Sequence, residues 1–238
     1  MRKMSSRIMI IALAACAIAL SPVTAAALSP AGTQTAESQA ALTPDAALAL
    51  LQEGNQRFVS GKMMERDLQA QVAATAGGQF PHSIVLACID SRVPPEVVFD
   101  QGIGDIFAPR VAGNFVDAEL LGSMEFAAAV AGSKVIVVLG HTECGAVKGA
   151  CDNVELGNLT QTLANIAPAV YAVTDIPGER SSKNKAFVDA VAHENVRQTV
   201  DNIMERSLVL RELVERGKLK VVGAMYDVAS GKVTFMDG

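Results

Sequence analysis

Two short stretches of this 238-residue chain bring together residue types that do chemistry. The first is Cys88-Ile89-Asp90-Ser91-Arg92-Val93-Pro94-Pro95-Glu96. In extended chain, residues two apart point the same way, so a thiol, a carboxylate and a guanidinium at 88, 90 and 92 are expected on one face. The second stretch, GHTECGAVKGAC from Gly140 to Cys151, offers His141 and Cys144 at a spacing that lets both side chains reach one ion from a tight turn. Cys88, His141 and Cys144 together form a Cys₂His set, a composition that holds catalytic zinc with its fourth position open. Singly, each has a plainer reading: a cysteine ending a buried strand is a small hydrophobe, a histidine after a strand is a hydrogen-bonded structural group, and Asp90 with Arg92 is a loop ion pair. Their joint occurrence favours the metal site. Cys151 lies seven residues after Cys144. That is two helical turns along, too far to share the ion, so Cys151 reads as a packed thiol. A Cys144–Cys151 disulfide would remove a ligand.

Positioning these groups requires a scaffold. The aliphatic runs 83–88 and 134–140 read as buried parallel strands, 105–109 as a weaker one, and 218–226 with 232–235 as a strand and a returning edge strand. Helical patterns lie between them. Thr43-Pro44-Asp45 opens one, 117–130 is a second, and 184–216 holds two more. Alternation of strands and helices indicates an α/β fold with a mainly parallel sheet. Ligands in such sheets bind at the carboxyl ends of strands, beside the reversal of strand order. Cys88 ends the first strand and His141 follows the central one, so both belong to that edge.

Arg2, Lys3 and Arg7, an uncharged run from Ile8 to Leu20, and Val23-Thr24-Ala25-Ala26-Ala27 have the order of a cleaved secretory signal peptide, residues 1–27. The apolar run is interrupted by Pro22, short of the roughly 20 residues of a membrane span. Leu13-Ala14-Ala15-Cys16 also resembles a lipobox, which would anchor the chain by a lipid on Cys16. Residues 28–42 are small and polar without periodicity and read as a flexible leader, leaving one domain over 43–238. Removing 1–27 takes away three positive charges and no negative ones, moving the formal net charge from −5 to −8. An acidic chain without basic clusters argues against a nucleic-acid partner. Three cysteines in the mature chain of an exported protein do not make a disulfide scaffold.

CxDSRVPPE followed about fifty residues later by GHTECGAVKG resembles the β-class carbonic anhydrases. The likeness runs from Gly54-Asn55-Gln56-Arg57-Phe58 through Ala108-Pro109-Arg110-Val111-Ala112-Gly113-Asn114 to Tyr226-Asp227. It implies a carbonic anhydrase-like sheet of order 2-1-3-4 with an edge strand, and one Zn²⁺ per chain on Cys88, His141 and Cys144. The implied reaction is zinc-dependent reversible hydration of carbon dioxide to bicarbonate and a proton, by attack of zinc hydroxide oriented by the catalytic dyad Asp90 and Arg92. It also implies a homodimer or higher even oligomer. Gln79 would hydrogen-bond substrate across the dimer interface, and Phe107 would belong to the apolar wall where carbon dioxide sits. The chain departs from the plant-like branch in carrying Phe126 where tyrosine is common and Ala112 where valine is common. Arg110 and Tyr226 match residues of an inhibitory bicarbonate site found in one bacterial branch, but Val85 stands in place of its tryptophan.

Two thiolates cancel the formal charge of zinc, so water bound there is less acidic than at a three-histidine site and Asp90 must compensate. Bound to Arg92, Asp90 can accept a hydrogen bond from that water; released, it would become a fourth ligand and close the site. Gly145 and Ala146 are expected to begin a helix whose free N–H groups favour bicarbonate. His82 and His193 are candidate proton shuttles, with a solvated histidine as the plainer reading of both. A non-catalytic zinc or bicarbonate-binding protein on the same fold, or a COS or CS₂ hydrolase, are the alternatives.

Overall fold

In the computed structural model the structure describes residues 32–236. The expected signal segment, with Cys16, lies outside the described residues. The chain enters through α1 (Ala36–Ala41), α2 (Pro44–Val59) and α3 (Leu68–Thr75), then passes into β1 (Ser83–Ala87), α4 (Pro95–Val98) and β2 (Ile106–Phe107). After α5 (Ala118–Glu125) and a π-helical turn over Phe126–Val130 come β3 (Val135–His141), α6 (Gly145–Cys151), α7 (Gly157–Ala164) and α8 (Ala167–Ala172). The long α9 (Lys185–Arg206) and α10 (Leu208–Glu215) lead to β4 (Lys220–Tyr226) and the edge strand β5 (Val233–Phe235).

The five strands lie in the order β2-β1-β3-β4-β5, parallel except for β5. This is the expected order with its added edge strand. Both β1 and β3 are buried along their whole length, which is why they read as unbroken aliphatic runs rather than alternating ones. Ile84, Leu86, Ile136 and Val138 face one layer, built from α5, α6 and α8 to α10. Val85, Ala87, Val135, Val137 and Leu139 face the other, against Leu51 of α2 and Val98 and Phe99 at α4. Each Val, Leu, Ile or Phe among them stabilises the fold by about 1.5–3 kcal/mol when fully buried. Gly140 is fixed by close approach: a Cβ there would lie 2.5 Å from Val196 Cγ2 of α9 and 2.7 Å from Met225 Sδ of β4.

Residues 28–42 do not form a structureless leader throughout. From Thr35 the chain makes a capping box with Ser38 and enters α1. Gln39 of that helix is buried, and its amide donates to the carbonyls of Pro81 and Ala131 at 2.8 Å each. The helix is held by distant backbone acceptors, so no local apolar period announces it. Among the described residues, no helix is long and apolar enough to cross a membrane.

Candidate metal centre and active site

The site is built where β1 and β3 end side by side. Their parallel register pairs Ala87 with Leu139, so Cys88, one residue past β1, and His141, the last of β3, leave the sheet at the same edge. Cys144 is the N-cap residue of α6. The ligand atoms of Cys88, His141 and Cys144 all lie within 4.8 Å of one another, and all three residues are buried. The two sulfurs are 4.0 Å apart. Zinc–sulfur bonds of 2.3 Å in a tetrahedral site put two sulfurs about 3.8 Å apart, so the thiols stand at metal-sharing distance.

The histidine fits the same purpose. Its Nδ1 donates to the Thr142 carbonyl at 2.9 Å, which leaves the Nε2 lone pair directed elsewhere. Among the described residues, Nε2 is buried without a hydrogen-bond partner. An orphaned buried nitrogen is costly unless something coordinates it. The ring's support continues outward: the Thr142 N–H donates to the Tyr226 carbonyl and its hydroxyl to Asp227 Oδ1, so the end of β4 braces the ligand turn.

The thiols are set for deprotonation in sequence. The hydrogen bond with Cys144, aided by His141 and the Gly113 N–H, draws Cys88 down to about 4 against its burial. That same contact, together with burial, pushes Cys144 upward, opposed by the Val147 and Ala146 N–H groups at the start of α6. A dication held by both sulfurs would displace their protons.

Asp90 sits beside this cluster and is gripped by Arg92. Arg92 Nε donates to Oδ1 at 2.9 Å and Nη2 to Oδ2 at 2.8 Å, a bidentate pair, while the Arg92 backbone N–H donates to Oδ1 at 2.9 Å. These bonds hold the Asp90 carboxyl far below the usual carboxylate range, despite partial burial. Its Oδ2 is 3.9 Å from His141 Nε2. The expectation that 88, 90 and 92 share a face through extended chain is corrected here. Val93 N–H bonds back to the Asp90 carbonyl, so the segment turns at Asp90 and the pair closes within an Asx turn.

Other expected residues fall as follows. Phe107 of β2 packs against the core cluster that contains Cys88, and its ring meets Phe126 edge-on at 6.4 Å. Gly145 is the exposed first residue of α6, with open space around it. Gln79 precedes β1 and is exposed, at the opposite end of the strand from Cys88. Within one chain it is not brought to the cluster. His82 is not solvated: it is buried at the start of β1, with Nδ1 2.6 Å from Ser83 Oγ and Nε2 3.0 Å from Gln101 Oε1, and burial pushes its pKa down. That strand end is the wrong one for a shuttle. His193 is exposed on α9. Cys151 is a buried free thiol, raised by burial to about 11.

Sequence reasoning missed what Arg110 does. Its Nε donates to the Cys88 carbonyl at 2.9 Å and Nη2 to the Asp90 carbonyl at 2.7 Å, so it clamps the backbone that carries both groups. The Gly113 N–H at 3.4 Å from Cys88 Sγ was also missed. Both lie in the quoted APRVAGN segment, where an arginine and a glycine beside a small-residue turn were the available signal.

The comparisons with known proteins agree with this geometry. The family model for carbonic anhydrase matches residues 83–233. Carbonic anhydrase 2 of Mycobacterium tuberculosis is 36% identical over 200 residues, which cover 82% of this chain and 93% of that protein. Among solved structures, the β-carbonic anhydrase CafA of Aspergillus fumigatus superposes with a TM-score of 0.61 at 28% identity, over 81% of this chain and 90% of that one. A structure described with two tetrameric β-carbonic anhydrases from Sordaria macrospora gives a TM-score of 0.61 at 25% identity, over 71% and 91%. Because the matched region runs from β1 to the start of β5 and contains both ligand-bearing segments, this chain belongs to the β-class carbonic anhydrases.

Proposed function

We propose that the chain catalyses the reversible hydration of carbon dioxide to bicarbonate and a proton, with one zinc ion held by Cys88, His141 and Cys144. The observation that carries this is the meeting of an orphaned His141 Nε2 with two thiols at 4.0 Å, beside a carboxylate already engaged by arginine. Zinc would supply Lewis acidity there, lowering the pKa of water at its open position from 15.7 toward neutrality.

The chain's own residues do the rest. Asp90 accepts a hydrogen bond from the attacking oxygen and so aims a lone pair at carbon dioxide. Arg92 holds Asp90 in the accepting position and off the metal, where it would close the site. Arg110, bonded to two carbonyls, keeps Cys88 and Asp90 at fixed separation. Phe107, with Phe126 across its edge, forms an apolar wall that suits an uncharged substrate, and the Gly145 N–H that opens α6 suits the anionic product.

Gln79 supports assembly as an even oligomer. It stands at the end of β1 remote from its own cluster and exposed, so its reach to substrate requires a neighbouring copy, and the Sordaria relatives are described as tetrameric. Export, with the working domain in the periplasm or outside the cell, is supported by the basic, apolar and small-residue order of 1–27. Metal analysis joined to stopped-flow hydration from about pH 7 to pH 9 decides the matter. One zinc per chain with rapid hydration is expected; a zinc-loaded oligomer no faster than buffer would overturn the enzymatic reading and leave the family intact.

A further inference from the structure

The turn between the two ligands on the β3–α6 side contains a residue that the mechanism above does not use. Glu143 has φ +58°, in the left-handed region. The other non-glycine residues with positive φ among those described are Asp100, Asn114 and Asn153. Asp and Asn enter that region readily through local hydrogen bonds; glutamate has no such help. Something else must hold it. The carboxylate of Glu143 is bonded by Lys148 Nζ, one turn along α6 from Cys144, and by Lys185 Nζ at 2.9 Å, from the first residue of α9. On its other side, the Glu143 carbonyl accepts from Arg92 Nη2 at 3.3 Å. That nitrogen is the one that donates to Asp90 Oδ2.

We infer that Glu143 is a positioning residue: clamped by Lys148 and Lys185, it keeps the ligand turn left-handed so that its carbonyl fixes Arg92, and through Arg92 keeps Asp90 from joining the metal ligands. The clamp has three anchors on three elements. Lys148 ties the turn to α6, Lys185 ties it to α9, and Arg92 ties it to the segment after β1. Asp189 lies 3.3 Å from Lys185 Nζ and orients that lysine from the next turn of α9. Arg92 is half exposed, and the Glu143 carbonyl is the acceptor that steadies its guanidinium from outside the bidentate pair, so without it that pair is less firmly placed. This inference rests on the proposed role of Asp90 and Arg92 in hydration.

Glu143→Gln keeps the size of the side chain and removes both ion pairs. The expected result is a fall in kcat of about fivefold, the size that two exposed ion pairs support, with KM and zinc content unchanged. In the metal-free chain, nitrogen-15 NMR should show the Arg92 Nε–H signal shifting and broadening, a readout independent of turnover. Lys148→Gln with Lys185→Gln should reproduce the loss, and adding Glu143→Gln to that pair should cost nothing further. Rising salt should weaken the native enzyme toward the variant. Unchanged kcat and an unmoved Arg92 signal in Glu143→Gln would overturn the inference, as would a loss explained wholly by missing zinc. Absence of hydration in the native zinc-loaded protein would instead refute the enzymatic reading, and the NMR arm would still judge the clamp.

Discussion

The two ends of the central strands carry buried polar clusters of opposite character. At the amino edge, Asp100 is fully buried and saturated: Arg57 Nε is 2.5 Å from Oδ2, Arg66 donates to Oδ1, and the Met64 N–H reaches Oδ2 at 3.2 Å. Burial alone would raise its carboxyl, but those hydrogen bonds outweigh it and leave the group below the usual range. At the carboxyl edge, His141 Nε2 has no hydrogen-bond partner among the described residues, and two thiols stand 4.0 Å apart beside it. A satisfied network holds the chain together; a cluster left short of one partner is poised to take a ligand. The difference teaches that the deficit, rather than the density of polar groups, marks the chemistry.

That contrast can be broken from either side. The largest effect is expected at the unsatisfied end: His141→Ala should abolish metal retention and reduce hydration by more than about 10³-fold, read by metal analysis and stopped flow, while urea unfolding of the metal-free protein changes little. At the satisfied end, Asp100→Asn leaves two arginines facing a neutral amide and should cost about 3–5 kcal/mol in urea unfolding, with turnover per folded molecule unchanged. Its pH dependence has a definite sign. Because the folded carboxyl is depressed, its stabilisation is complete above the unfolded value of about 3.9 and drains away as pH falls through the lower folded value. The stability gap between native and Asp100→Asn proteins should therefore be constant from pH 7 to about pH 4 and close below that. An unchanged gap at pH 2 would mean the ion pairs contribute nothing.

Asp90→Asn tests the boundary between the two characters, since Asp90 is itself saturated by Arg92 yet faces the deficit. Turnover should fall about 10²-fold with zinc content retained; loss of zinc instead would make Asp90 a structural support of the ligands. The smallest effect belongs to Phe126→Tyr, at a half-exposed ring: turnover within about twofold and stability within about 0.5 kcal/mol by the same assays.

Much of this was legible beforehand where the physics is local or the burial complete. β1 and β3 read as aliphatic runs because both faces are covered, and the strand order followed from family resemblance to DSRVPPE and GHTECG. Cys88, His141 and Cys144 were identifiable by type and spacing. What escaped notice depends on partners far along the chain. The docking of α1 rests on Gln39 reaching carbonyls 42 and 92 residues away. The Asp100 network joins residues 34 and 43 apart in sequence, and α3, with little amphipathic pattern, gives no periodic signal. The backbone clamp of Arg110 and the left-handed turn at Glu143 were hidden for the same reason: a charged side chain does not declare which carbonyl or lysine it will meet.

The ligands arrive on two segments, one ending β1 and the other ending β3, separated by 53 residues and made neighbours only by the pairing of those strands. Cys88 alone is a poor trap for a metal, and closing a loop of that length without a paired sheet forfeits chain entropy of about 3.5 kcal/mol beyond a constant. The order of events in the protein's lifetime follows. Until β1 and β3 have paired, the chain carries no complete binding set, so an ion that needs all three residues is captured only after the sheet has formed. Metal affinity here is a report on the completion of folding.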